Sequence, residues 1–235
     1  MALVGDDPSV QIVSNAQLWY ITQMMQGTEY EGCRFCLRRR RSRPARAVCI
    51  NGAQLRGWLE RSAGMFNQIT PGKADQVLLN DSFSSYNFDV MDGVNYEIDL
   101  SQPSRSTAKG EMLNEGAKRI VNLTYQGQPV SDDMEFIVAT NNYRAGGGGK
   151  FPGTGDTVVF EGPDTNRDVI VRYIVEQGTI NPSADGNWRF KPLAQTSVLL
   201  DTGPKGVAYL DDVKGVAIEP AGDGPDGFAR FRITL

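Results

Sequence analysis

The stretch FIVATNNYRAGGGGKFPG, residues 136–153, is the part of the sequence that best indicates the fold. Residues 136–139 form an apolar, β-like run, and a polar, glycine-rich segment follows at once, so we predict a buried strand that enters a loop. Glycines let a ligand approach the backbone closely, and Tyr143 offers a ring face beside the amides of Asn141 and Asn142. This combination suits a flat heterocycle, although a surface loop without a ligand shares the same composition.

The order of residues in this stretch is more informative than its glycine run. The glycine spacing matches neither a phosphate-binding loop nor a dinucleotide fingerprint. Asn-Asn-Tyr-Arg-Ala, then glycines, then Phe-Pro-Gly, resembles the C-terminal domain of the bacterial 2′,3′-cyclic-nucleotide 2′-phosphodiesterase/3′-nucleotidases, which belong to the 5′-nucleotidase family. The resemblance implies that Tyr143 is one of two aromatic rings that enclose a nucleobase. The implied substrate-binding residues are Tyr143, Asn141, Asn142, Arg144, Gly146, Gly147 and Gly148.

Two further segments are similar to the same family. They are RGWLERSAGMFNQI at residues 56–69 and YNFDVMDGVNY at residues 86–96. The second contains Asp89 and Asp92, which could be read as paired catalytic carboxylates or metal ligands. An aspartate beside a glycine is more often a turn residue, and we favour that interpretation. We therefore predict no catalytic and no metal-binding residue in this chain.

Residues 32–50 depart from the family pattern. They are rich in arginine and cysteine, where the family has an apolar strand. The arginine run could be a solvated surface, a nucleic-acid contact or a localisation signal. Codons can be chosen for residues 32–44 so that another frame encodes the family strand, and a shifted reading frame is our hypothesis for this segment. A native gene without such an alternative frame would exclude it. The arginines concerned are Arg34, Arg38, Arg39, Arg40, Arg41, Arg43 and Arg46.

Two family segments that should follow this strand are absent from the sequence. They are a Gly-Gly-Arg and a Leu-Tyr-Pro-Asn, and the resemblance implies that they supply a phosphate-side arginine and the second stacking tyrosine. Near the end of the glycine run, related 5′-nucleotidases carry an acidic residue where this chain has Gly149 and Lys150. This departure favours the cyclic-phosphodiesterase branch of the family, and it leaves half of the expected pocket without a counterpart.

The composition limits the possible functions. The chain has 235 residues, a formal charge of −4 and no histidine. The acidic balance argues against a general nucleic-acid binder, and we expect no membrane partner because no apolar run is long enough to span a bilayer. Without histidine, the usual two-metal phosphoesterase site and any His-dependent catalysis are excluded. Cys33 and Cys36 form a Cys-x-x-Cys, but no second pair completes a zinc site.

The residues and the resemblance together predict an α/β fold with mixed sheets and packing helices. The predicted organisation is a linker helix in residues 1–31, the aberrant segment at 32–50 and a nucleotide-specificity domain at 51–235. The resemblance implies a nucleotide or nucleoside ligand with a 2′,3′-cyclic or 3′-phosphate, a periplasmic location and an N-terminal metallophosphoesterase domain that holds divalent metal ions. The alternative is a secreted structural or interaction domain without nucleotide binding.

Cap residues predict helix starts at Asp7 with Pro8, at Asn51, and at Asp164 or Thr165, with ends near Gly27, Gly64 and Gly178.

Overall fold

The structure is a computed structural model, and it describes residues 4–5, 7–31, 33–38, 44–181 and 183–235. Its helices are α1 (Pro8–Met24), α2 (Gly52–Ala63), α3 (Asn142–Ala145) and α4 (Asn166–Gln177). Its strands are β1 (Arg34–Arg38), β2 (Pro44–Asn51), β3 (Gln76–Val77), β4 (Met91–Asp92), β5 (Asn95–Ile98), β6 (Ile120–Tyr125), β7 (Gln128–Pro129), β8 (Glu135–Asn141), β9 (Val158–Thr165), β10 (Trp188–Phe190), β11 (Ser197–Thr202), β12 (Ala217–Asp223) and β13 (Ala229–Thr234).

The predicted strand at residues 136–139 is confirmed as β8, the middle strand of a five-stranded sheet. The order in this sheet is β4-β1-β8-β2-β9. β1 runs parallel to β8 and β2 runs antiparallel to it, so both neighbours of β8 come from the arginine-rich segment. That segment therefore forms part of the sheet. Arg39, Arg40, Arg41 and Arg43 lie outside the described residues, as do the side chains of Cys36 and Arg38.

Helices cover both faces of this sheet. Phe136 and Val138 of β8 point into the larger core, which also contains Leu55 and Trp58 of α2. Ile137 and Ala139 point to the opposite face, where they pack with α1 and α4. Successive strand residues alternate between faces, so one apolar run serves two cores. The described residues also form two four-stranded sheets, β10-β5-β6-β7 and β12-β13-β11-β3, and the α/β prediction with mixed sheets is confirmed.

The predicted helix starts are confirmed. Asp7 accepts a hydrogen bond from the Ser9 amide at the start of α1, which ends at Met24, three residues before the predicted stop. Asn51 and Thr165 form capping boxes at α2 and α4. These side chains satisfy amides that have no partner within their own helix, and this explains why the sequence predicts the starts well.

Helix α1 is tied to the end of β9. The hydroxyl of Tyr20 donates a hydrogen bond to Asp164 Oδ2 at 2.9 Å. Burial, together with the Asp164 carboxylate, raises the pKa of Tyr20 to about 12.

Within the described residues, no helix combines the length and the apolar character that a membrane crossing requires.

Candidate functional site

The candidate site begins where β8 ends. Asn141 is buried at the last position of the strand, and its side-chain oxygen accepts a hydrogen bond from the Arg144 amide at 2.9 Å. The next residues form the one-turn helix α3, although the sequence predicted a loop here. The Gly146 amide then donates to Asn142 O at 3.0 Å, and the Gly148 amide donates to Tyr143 O at 2.9 Å. These bonds fold the glycine run back onto α3.

Tyr143 lies on the outer side of this turn and is 40% exposed. Its ring packs against the backbone of Gly148, since a Cβ on Gly148 would lie 2.6 Å from Cε1 and Cζ of Tyr143. Only a glycine allows this approach. The exposed part of the ring presents an aromatic surface at the carboxyl end of β8, which is the arrangement that stacking on a flat ligand requires.

Arg144 points the opposite way and is fully buried. Its Nε lies 3.0 Å from Asp89 Oδ2, and its Nη2 donates to Asp89 Oδ1 at 3.2 Å. Nη1 donates to Asn87 Oδ1 at 3.1 Å and also to the carbonyl oxygen of Gly148. The guanidinium stacks on Phe151, 3.8 Å from the ring centroid. Arg144 therefore fixes the loop from inside and presents no surface to a ligand in this structure.

A hydrogen bond from helix α2 completes this buried network. Trp58 Nε1 donates to Asp89 Oδ2 at 3.1 Å, so the carboxylate binds both the helix and the loop. Asp89 is thus the partner of a buried arginine and not the turn residue that the sequence predicted. Asp92, by contrast, ends β4 directly before Gly93, whose φ is 89°. The turn interpretation is therefore wrong for Asp89, and at Asp92 the chain bends only at the following glycine, since Asp92 itself is a buried strand residue.

The far end of the loop needs a glycine at residue 149. Its φ is 85°, and a Cβ there would lie 2.0 Å from Arg144 Nη1. Arg61 Nε donates to Gly149 O at 3.3 Å, and Arg61 Nη2 donates to Ala108 O at 2.9 Å. Burial lowers the pKa of Arg61. Any side chain at residue 149, including the acidic one of related 5′-nucleotidases, would clash with the Arg144 guanidinium. The next residue, Lys150, is exposed and has a positive φ of 56°.

The residues predicted to bind substrate differ in accessibility. Tyr143, Asn142 and Gly146 are exposed, and Gly147 and Gly148 are half-buried. Asn141 and Arg144 are buried and shape the turn. Asn87, Asp89 and Trp58 were missed by the sequence reasoning, because neither spacing nor composition connects residues that are so far apart in the chain.

The described residues do not fit a metal centre. Among them, no three His, Cys, Asp or Glu side chains lie close enough together to hold a metal ion. Asp89 has its carboxylate oxygens engaged by Arg144 and Trp58, so the best-placed carboxylate near Tyr143 is occupied by protein donors.

Comparison with known proteins agrees with this architecture. The family described as "5'-nucleotidase, C-terminal domain" matches residues 43–156. The trifunctional nucleotide phosphoesterase protein YfkN of Bacillus subtilis is 40% identical over 92% of this chain and 17% of its own length. The 2′,3′-cyclic-nucleotide 2′-phosphodiesterase/3′-nucleotidase of Haemophilus influenzae is 37% identical over 100% of this chain and 42% of its own length.

Solved structures show the same fold at lower identity. A 5′-nucleotidase precursor from Thermus thermophilus has a TM-score of 0.55 at 13% identity, over 80% of this chain and 36% of its own length. A Staphylococcus aureus chain solved with alpha-ketoglutarate has a TM-score of 0.61 at 18% identity, over 80% of this chain and 37% of its own. At these identities, the likeness establishes the fold alone.

The chain spans less than half the length of each of these relatives. The alignment with the Haemophilus influenzae protein extends over 280 positions, whereas the chain has 235 residues, so at least 45 positions (280 minus 235) have no residue here. The match nevertheless runs through both cores and the Tyr143 turn. The chain belongs to the 5′-nucleotidase family and carries the C-terminal domain found in the 2′,3′-cyclic-nucleotide 2′-phosphodiesterase/3′-nucleotidases.

Proposed function

We propose that this chain is the substrate-binding domain of a nucleotide hydrolase and that it stacks a nucleobase on Tyr143. The observation that carries the proposal is the exposed Tyr143 ring, seated on Gly148 in a turn that buried Arg144 holds in place. A fixed ring loses little conformational freedom when a flat ligand binds, so more of the contact energy remains as affinity.

The affinity of such a half-site should be low. Stacking of one base on an aromatic side chain contributes about 1–3 kcal/mol in single-stranded nucleic-acid binders. A contribution of this size alone corresponds to millimolar or weaker binding. The exposed amide of Asn142 could add a hydrogen bond to the base or the ribose. We expect the ligand to be a nucleoside or nucleotide, with a 2′,3′-cyclic or 3′-phosphate extending away from Tyr143.

In the parent protein, we propose, divalent metal ions in an N-terminal metallophosphoesterase domain supply the chemistry. Such ions can activate water for attack at phosphorus. Residues 51–235 would then supply base recognition, with α1 as the connection to the catalytic domain. The periplasm is the proposed location. This division predicts that the chain alone does not release phosphate from 3′-AMP.

A titration with adenosine and 3′-AMP, monitored by NMR, tests the proposed base site. Saturable shifts around residues 141–149 are expected in the unaltered chain and should disappear in the Tyr143→Ala variant. Tyr209→Ala is the matched control, because Tyr209 is 58% exposed but lies in the 3₁₀ turn Pro204–Asp212, which packs against β12 and β13. If the folded, unaltered chain gives no shifts, it is a structural or interaction domain without a nucleotide, and the proposal fails.

A further inference from the structure

The carbonyl groups of two consecutive glycines point inward, each to a buried arginine. Gly148 O accepts a hydrogen bond from Arg144 Nη1, and Gly149 O accepts one from Arg61 Nε at 3.3 Å. Arg61 belongs to α2 and is 4% exposed. The two guanidinium groups also share one ring, since they lie 3.8 Å (Arg144) and 5.7 Å (Arg61) from the centroid of Phe151. The inner side of the glycine run therefore faces two buried cations.

These two cations have one carboxylate between them. Asp89 is paired with Arg144, whose Nε lies 3.0 Å from Asp89 Oδ2. Among the residues that the structure describes, Arg61 pairs with no carboxylate. Its hydrogen bonds go to main-chain carbonyl oxygens, those of Gly149, Thr107 and Ala108. Carbonyl groups do not cancel a formal charge, so two arginines and one aspartate leave a net charge of +1 beneath the glycine run.

The same geometry leaves one amide of the glycine run pointing outward. In a trans peptide, the carbonyl and the N–H point in opposite directions. Gly148 O is turned inward to Arg144, so the N–H of that peptide, which belongs to Gly149, is turned away from the guanidinium. This N–H has no acceptor within the described part of the chain. The neighbouring amides all donate to carbonyl oxygens of the turn, namely those of Gly146, Gly147, Gly148 and Lys150.

The unpaired amide lies next to the ring of Tyr143, which packs on the backbone of the preceding residue, Gly148. We propose that the Gly149 amide and the charge of Arg61 form an anion site beside the Tyr143 ring, and that this site takes the phosphate group of a nucleotide. The inference rests on the proposed function, because it adds an anion contact to the same ligand. The amide donates the hydrogen bond, and the Arg144 bond to the same peptide strengthens it as a donor. The buried charge of Arg61 is poorly screened and attracts the phosphate.

Titrations of the full chain with adenosine, 3′-AMP and inorganic phosphate, each monitored by NMR, test this site. We expect 3′-AMP to bind about tenfold more tightly than adenosine, because hydrogen bonds to charged groups are stronger than those between neutral groups. The Gly149 amide signal should shift saturably with inorganic phosphate, and it should shift more with 3′-AMP than with adenosine. Equal affinities for adenosine and 3′-AMP would refute the anion site and leave the base site at Tyr143 standing.

Three variants separate the charge of Arg61 from its structural support of the turn. Arg61→Met removes the charge, so the preference for 3′-AMP should fall to within about twofold of none while Kd for adenosine changes by less than about twofold. Arg61→Lys keeps a cation and should retain most of the preference. Arg56→Met is the matched control and should leave the preference unchanged, because Arg56 also belongs to α2 but donates to Val130 O.

The outcomes distinguish this inference from the proposed function. If Arg61→Met weakens adenosine and 3′-AMP equally, Arg61 only supports the turn and the anion site is refuted. Loss of the preference in Arg61→Lys as well would refute the role of the charge. If the unaltered chain binds neither adenosine nor 3′-AMP, the proposed function fails, and the phosphate titration alone decides the anion site. That titration needs no variant, so the site stays testable even if Arg61→Met does not fold: a missing Gly149 shift refutes it.

Discussion

Arg144 and Asp89 form a fully buried ion pair, with Arg144 Nε 3.0 Å from Asp89 Oδ2, although they are 55 residues apart in the chain. The pair joins the Tyr143 turn to the segment before β4, and Trp58 joins it to α2. Burying two charges is costly unless hydrogen bonds satisfy them, and here Asn87 Oδ1 and the carbonyl oxygens of Gly148 and Tyr86 accept the remaining guanidinium protons. A buried ion pair thus holds the turn that presents the exposed ring of Tyr143.

Removing the arginine should strongly destabilise the protein. Arg144→Met leaves the Asp89 carboxylate buried without its cation, and breaking a buried pair in this way costs about 3–5 kcal/mol. Urea unfolding measures the loss. Arg189→Met is the matched control, because Arg189 is exposed and its pair with Glu97 should contribute no more than about 1 kcal/mol. Equal losses for the two variants would contradict the assigned role of Arg144.

Adding one methyl group at residue 148 should displace the Tyr143 ring. The Cβ of Gly148→Ala would lie 2.5 Å from Tyr143 O and 2.6 Å from the ring, so the ring must move. We expect adenosine binding to weaken and the NMR signals of Tyr143 to shift while the fold persists. Gly203→Ala is the control, because a Cβ there meets no atom within 4 Å and needs no left-handed backbone. Unchanged binding in Gly148→Ala would show that the ring position is irrelevant to the ligand.

An ion pair between β11 and β13 should make stability depend on pH. Asp201 lies opposite Arg230, whose Nε and Nη2 bind the two carboxylate oxygens at 2.8 Å each. These bonds lower the pKa of Asp201 below its usual range. The pair therefore stabilises the fold above the unfolded pKa of about 4, and this contribution is lost as the pH falls through the lower folded pKa.

The corresponding measurement is the melting temperature between neutral and acidic pH. Asp201→Asn should melt below the unaltered chain at pH 7, and the difference should shrink as the pH falls through the folded pKa. Arg230→Gln should show the same convergence, because it removes the other partner. A difference that stays constant across the range would mean that Asp201 does not titrate differently in the folded and unfolded states.

Local signals made much of the fold predictable. The signals that worked involve only neighbouring residues. They are the apolar run of β8, the cap residues Asp7, Asn51 and Thr165, and the glycine that ends α4 at residue 178. Turn chemistry and cap bonds depend on adjacent backbone groups, so the sequence alone shows them. The one-turn helix α3 was missed because the glycines after it favour a loop and only Asn141 stabilises its start.

The arrangement of the site could not be predicted in the same way. The sequence predicted an aberrant segment at residues 32–50, yet its described parts pair with β8 on both sides, because a central strand accepts neighbours chiefly through backbone hydrogen bonds, and the family match begins inside it, at residue 43. Asp89 resembled a turn residue until its distance from Arg144 was known. Long-range pairs of this kind leave no periodic trace in one sequence.

The most direct test of the account is whether a bound base touches Tyr143. Adenosine added to the protein with ring-labelled tyrosine should give nuclear Overhauser effects between the base protons H2 and H8 and the Tyr143 ring protons, and Gly148→Ala should reduce them. The account predicts these contacts at the exposed ring. Saturable adenosine binding without any effect at Tyr143, or with contacts at Tyr209 instead, would contradict it.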